Sequence, residues 1–318
     1  MNSCLRAMIG LVFILSSGRI FADATFDWKP EATWKARKKD AVSRLISKAE
    51  QLQERGKHKK ALRVYEKIGK KSVNLKNKGK AVVRQAECLS QMDKPWQAYR
   101  RYREAIDRYT NHVAFNDIIA AEYEIAESYF NGRRDRVMGF SISTAHKAMD
   151  IYDHVALVGP YTDLAPKSIY RVGLLQIQNK NYSQAIDKFN RLLTKYPDSD
   201  AAGNARIELA RALLKEADSA DGDGRLVRQA NHELSRFIKR YPSHERLDEV
   251  KGLLAQAREI EAQRLLYLGQ FYQRESHHNS DASKGYLLDV VLLYPETNSA
   301  RVAEQMLKNI DAENTIGE

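Results

Sequence analysis

Cysteine is nearly absent from the 318 residues, with Cys4 and Cys88 the only two. Cys4 lies in a leader-like first segment, so Cys88 is left without a partner and no intrachain disulfide is expected. A lone cysteine on a predicted helix reads as a small buried hydrophobe rather than a reactive thiol. Proline (7) and glycine (16) are also scarce. Helix breakers are therefore few, and apolar residues spaced three and four apart predict a mostly helical chain. The phosphate-cradling glycine loop, the zinc-protease helix motif and the serine elbow are all missing, so no catalytic residue and no cofactor is expected. His277, His278 and Asp281 lack a third close ligand, and adjacent side chains rarely converge on one ion, so they read as a solvated turn. Asp221-Gly222-Asp223-Gly224 has calcium-loop composition but no bidentate glutamate at the required distance, and reads as a flexible turn.

Long apolar runs are missing except for one. Arg6 precedes AMIGLVFILSS (7–17), then Ile20-Phe21-Ala22. That run is too short for a comfortable membrane span. It predicts a signal peptide over residues 1–24, cleaved after Ala22 or Ala24, and hence an exported protein, with an uncleaved anchor as the alternative. Cys4 stands before the run, which is not the place of a lipoprotein cysteine.

Charge is unevenly spread. Residues 29–80 hold 18 basic and 5 acidic side chains, whereas 81–318 hold 32 and 34. The basic excess reads as a solvated face or as attraction to an acidic protein or anionic lipid headgroups. Nucleic acid is not expected, because no recognition motif appears and export removes the chain from it. Residues 25–40 form a basic lead segment whose Trp28 and Trp34 are expected to pack onto the first helix.

What the chain does have is a recurring hairpin. In 165–198 a helix carrying Gly173 is followed by one carrying Ala185, Phe189 and Leu192, and Pro197 stops it. Small residues twelve apart, an aromatic at +4 and a proline at +12 resemble the tetratricopeptide repeat (TPR). The second-helix anchors recur at Ala61, Ala98, Ala148, Ala230 and Ser283, with Pro242 and Pro295 closing two later hairpins. The expected hairpins are about 41–69, 79–109, 117–160, 165–198, 203–242 and 246–295, with a basic linker at 70–80. A capping helix at 298–310 and a tail at 312–318 follow. The fold class is therefore all-α, an α-α superhelix of five to six hairpins with a cap. The excess length of the third and fifth hairpins falls in loops at 131–141 and 218–225.

In this repeat, positions 2, 5, 9, 12 and 13 of each first helix line the inner side. They are Lys167, Tyr170, Leu174, Ile177 and Gln178 in the fourth hairpin, and include Tyr123, Glu127, Phe130 and Asn131 in the third. Aromatics there are candidate peptide anchors. Tyr123, Glu127, Phe130, Tyr170, Leu174 and Ile177 form the candidate partner-binding groove.

The C-terminal third carries a sharper likeness. Residues 261–274 (EAQRLLYLGQFYQR) and 283–297 (SKGYLLDVVLLYPET) resemble the last repeat of the BamD (YfiO/ComL) family. Those proteins are TPR lipoproteins of the outer-membrane β-barrel assembly machinery. The likeness is good over 165–311 and loose over 41–160. It implies a periplasmic scaffold whose C-terminal repeats hold the barrel-forming subunit and whose N-terminal repeats receive unfolded outer-membrane proteins. Other exported TPR scaffolds, such as the cell-division coordinator type, share much of the pattern.

Overall fold

The structure is a computed structural model that describes residues 30–137, 140–142, 144–220, 224–277 and 279–316. The described residues form six helical hairpins and a last helix. In order, they are α1 (Pro30–Glu54), α2 (His58–Lys71), α3 (Leu75–Gln91), α4 (Pro95–Tyr109), α5 (Phe115–Phe130), α6 (Ala145–Val158) and α7 (Leu164–Gln178). They continue with α8 (Tyr182–Lys195), α9 (Asp200–Ala220), α10 (Arg225–Arg240), α11 (Leu247–Gln273), α12 (Ser280–Leu293) and α13 (Asn298–Ile316). Each helix packs on the next, and from α5 onward first helices also touch the first helix of the following hairpin or, at the end, α13, giving the α-α superhelix of a TPR solenoid.

Small side chains sit where the paired helices touch. Ala49 and Ala61, Ala86 and Ala98, Ala126 and Ala148, and Ala210 and Ala230 are all fully buried. In the fourth hairpin a Cβ on Gly173 would stand 2.5 Å from the Phe189 ring, which real atoms do not tolerate. Glycine thus lets the ring lie directly on the backbone of α7. The sixth hairpin repeats the device: a Cβ on Gly269 would stand 2.9 Å from Leu287, while Ser283 Oγ donates to Gly269 O at 2.9 Å. Ala185 is fully buried beside Phe189 and Leu192. Ala185→Leu should overpack this contact and lower stability by about 1–3 kcal/mol. An unchanged melting curve would place Ala185 outside the helix interface.

Three hairpins end in the same way. The N–H groups of Tyr196, Tyr241 and Tyr294 donate to the carbonyls of Leu192, Phe237 and Val290, four residues back. Pro197, Pro242 and Pro295 follow; all three are exposed, so each acts through its fixed φ and missing donor rather than by packing.

Several segments differ from the sequence reading. Trp28 and the signal-like residues 1–24 lie outside the described residues. Residues 30–40 of the expected lead segment are the first turns of α1. The expected linker at 70–80 is mostly helix, because Asn74 Oδ1 accepts the Lys76 N–H at 2.8 Å and starts α3 at Leu75. The long third turn holds two short antiparallel strands, β1 (Asp135–Val137) and β2 (Phe140–Ile142). The last helix runs past 310 to Ile316.

Buried side chains fall into four clusters along the rod. Helix α11 spans two of them: Val250, Leu254 and Ala257 join the cluster of α8–α10, while Ala262 and Leu265 join that of α12 and α13. Between the two sets lies Glu261, which is buried and held by Arg228 at 2.9 Å and Arg264 at 2.7 Å. Gly224, at φ +72°, presses onto these three side chains, and a Cβ there would meet all of them within 3 Å.

Candidate protein-binding face

Residues three before and one after the small anchor of a first helix share a face, being four apart. In α5 these are Tyr123 and Glu127, with Phe130 one turn further on. All three are half-buried. Glu127 accepts two bonds from Arg171, at 2.8 Å from Nε and 3.0 Å from Nη2. It also accepts one from Tyr152 Oη at 2.5 Å. Such a two-pronged pair is strong and directional. The Arg171 guanidinium lies 4.4 Å from the Phe130 ring centre, a cation–π contact. The Tyr123 and Phe130 rings meet Tyr152 edge-on. Burial pushes the Tyr152 hydroxyl upward in pKa, and donation to the Glu127 carboxylate adds to it, so Tyr152 stays a donor. The three sequence-predicted residues of α5 are thus gathered around Tyr152, the aromatic four residues after the Ala148 anchor, and Arg171, which the sequence did not single out.

On α7, Tyr170, Leu174 and Ile177 are half-buried and pack against the cluster of α8 and α9. The Tyr170 ring lies 6.0 Å from Phe189. Its hydroxyl is pushed up first by burial, with Glu208 adding and Arg246 opposing. Lys167 and Gln178 are exposed. The Glu127–Arg171 pair therefore bridges the two halves of the expected groove, α5 to α7. A similar bridge joins α9 to α11: Arg246 donates to Glu208 at 2.7 Å and to Asn204 at 3.1 Å, and Arg211 pairs with Glu249.

Sequence reasoning missed a cleft of about 450 Å³ among α1, α3 and α5. Ile46, Glu50, Val83, Glu87, Lys80 and Asp117 line it. Burial pushes the hydroxyls of Tyr65 and Tyr102 beneath it up to about 12. Tyr65 Oη donates to Gln53 at 3.0 Å, and Gln53 Nε2 donates to Glu87 at 3.1 Å. A signal for this cleft was present. Counted from Ala49 and Ala86, the pairs Ile46/Glu50 and Val83/Glu87 occupy the places of Tyr123/Glu127 in α5.

This face offers apolar contacts flanked by fixed charges, which suits a peptide or protein surface. Cys88 is fully buried and burial raises its thiol to about 11, far from a nucleophile at neutral pH. Among the described residues, no group of three or more His, Cys, Asp or Glu is placed to hold a metal ion. His277 packs against Phe271 with the rings tilted and 4.3 Å between their centres, and its Nδ1 lies 2.8 Å from Ser276 Oγ. His278 and residues 221–223 lie outside the described residues. No helix among the described residues is long and apolar enough to cross a membrane. At the far end, Leu288, Leu292 and Leu293 of α12 and Val302 of α13 are exposed.

The family model described as YfiO, outer membrane lipoprotein, matches residues 162–313. The model described as soluble NSF attachment protein, SNAP, matches residues 31–215. No curated protein matches the chain. Among solved structures, the C-terminal part of a TPR repeat-containing protein from Cytophaga hutchinsonii is similar at 17% identity. That match covers 86% of this chain and 91% of that one, with a TM-score of 0.37. PilF of Pseudomonas aeruginosa is similar at 17% identity over 85% and 99% of the two chains, with a TM-score of 0.28. A TPR protein from Parabacteroides merdae is similar at 15% identity over 85% and 99%, with a TM-score of 0.36.

Proposed function

From the premise that the chain belongs over residues 31–215 to the SNAP family, and as a whole to the TPR proteins, we propose that it is a non-catalytic protein-binding scaffold of the BamD type. On this reading it is exported and works in the periplasm or at the periplasmic face of the outer membrane. Its partners are the barrel-forming subunit of the assembly machinery and unfolded outer-membrane proteins. The observation that carries the reading is the YfiO match over residues 162–313, which coincides with the stretch whose sequence resembles that family.

The exposed leucines of α12 fall inside that stretch. Leu288 and Leu292 are four apart and share a helix face, 46% and 74% exposed. Exposed aliphatics of this kind at one end of a solenoid fit a protein contact. Tyr123, Glu127, Phe130, Tyr170, Leu174 and Ile177 then form the second contact, toward the middle of the rod, where an extended substrate segment would lie. Affinity capture from envelope extracts tests the reading. The wild type should recover a barrel-assembly subunit, and Leu288→Asp/Leu292→Asp should reduce recovery by about tenfold, roughly the loss of one buried anchor. Recovery of cell-division or cell-wall proteins in place of any barrel-assembly subunit would replace it with the other exported scaffold type.

A further inference from the structure

We propose that the first hairpin is a docking surface for an anionic phospholipid bilayer, independent of the protein contacts above. An open cleft of about 700 Å³ lies between α1 and the end of α2. Val42 and Leu45 line its apolar part, and Arg44, Lys48, Lys70 and Lys71 supply only positive charge. All four basic side chains are exposed. Immediately after Lys71 the chain turns: Ser72 is buried, and its Oγ donates to Asn74 O at 3.2 Å. That anchor leaves Val73 77% exposed and Leu75 51% exposed beside the lysines.

Charge complementarity selects the occupant. Across residues 41–80 there are 13 basic and 3 acidic side chains, spread over α1, α2, the turn between them and the start of α3. A single-sign field spread this broadly matches a uniformly charged plane, to which each cation adds attraction. A folded acidic partner would instead be matched by a localised patch. Val73, in the turn, and Leu75, at the first position of α3, protrude rather than lining a groove. They are placed to enter the headgroup layer while the lysines stay at its surface, the usual pairing of apolar and basic elements in peripheral membrane binding. The cleft, with aliphatic walls under a cationic rim, is suited to one phosphate headgroup and its glycerol carbons.

Co-sedimentation of the full chain with vesicles tests the proposal. Vesicles of phosphatidylcholine are compared with vesicles of phosphatidylcholine and phosphatidylglycerol. The anionic vesicles should bind at least about tenfold more tightly, and the difference should collapse as salt is raised. Lys48→Glu/Lys70→Glu/Lys71→Glu should abolish the difference, and Val73→Ser/Leu75→Ser should weaken binding severalfold while leaving its salt dependence in place. Any contribution from the apolar run at 7–17 would be equal on both vesicle types and unaffected by the lysine reversals. Equal binding to neutral and anionic vesicles, or unchanged preference in the triple variant, would overturn the proposal. So would binding of soluble polyglutamate with no binding of anionic vesicles, which would make the occupant an acidic protein. Should the triple variant not fold, judged by far-ultraviolet circular dichroism, the salt titration and the Val73/Leu75 variant decide alone.

Discussion

Phe189→Ala is expected to lower stability by about 3–5 kcal/mol, the range for removing a fully buried aromatic ring. Phe189 is fully buried in the cluster that links α7, α8, α9 and α10, and its ring rests on Gly173. The glycine makes the test sharper. In the wild type, Gly173→Ala should be destabilising although alanine is the better helix former by roughly 1 kcal/mol, because the new methyl would meet the ring. In the Phe189→Ala background the same substitution should be neutral or stabilising. Urea denaturation of the four proteins measures the coupling. Additive effects would show that Gly173 is not there to admit the ring. Because a solenoid's stability is a sum of repeat and neighbour terms, the loss should also be felt by the adjoining hairpins.

His154→Ala is expected to cost a similar amount, about 3–5 kcal/mol, at a pH where Glu122 is ionised, because it then strands a buried carboxylate, and less where the carboxyl is protonated. Glu122 is fully buried between α5 and α6, and its Oε2 lies 2.8 Å from His154 Nδ1. Tyr99 from α4 packs edge-on against the imidazole, with 5.8 Å between ring centres. Burial raises the Glu122 pKa, while His154 and, more weakly, Arg103 oppose the rise and Asp107 adds to it. Since the native carboxyl holds its proton above the ordinary carboxylate value of about 4.3, the native state binds more protons than the unfolded one in the window above that value. The associated stability is complete below the unfolded pKa and is lost as pH rises through the native pKa. Glu122→Gln removes this loss. The Tm of Glu122→Gln relative to wild type should therefore climb as pH is raised across the window. A pH-independent difference would mean that Glu122 titrates normally.

The hairpin architecture was legible because its determinants are local. A small residue, an aromatic four further on and a proline eight beyond that lie within one helix and its stop, as in Ala185, Phe189 and Pro197. Ala61, Ala98, Ala148 and Ala230 are likewise fully buried. Lengthened turns were visible as excess residues, but the pairing of β1 with β2 was not, since three-residue strands carry too little alternation to register. The candidate face was only half legible. Tyr123, Glu127 and Phe130 could be placed by helix position, whereas Arg171 reaches Glu127 across 44 residues and no pattern within one repeat announces such a pair. The cleft among α1, α3 and α5 was obscured for another reason. Its lining mixes Glu50, Glu87 and Lys80 with Ile46 and Val83, so no aromatic marks it. Glu122 and His154 each look like ordinary helix residues until the fold sets them side by side.

Helix α11 passes through two packing clusters with a caged carboxylate between them. The apolar contacts that bind α8 to α10 stop on one side of Glu261, and those that bind α12 and α13 begin on the other. Across that point the rod is joined by one continuous helical backbone, the ionic clasp, and polar contacts of Arg258 with Glu296 and of Glu259 with Asn298 and Ser299. Under load, or while threading past a bulky cargo, bending and partial melting should concentrate there. The terminal hairpin with α13 would then swivel as a small separate body, able to re-aim whatever it grips without disturbing the middle of the solenoid.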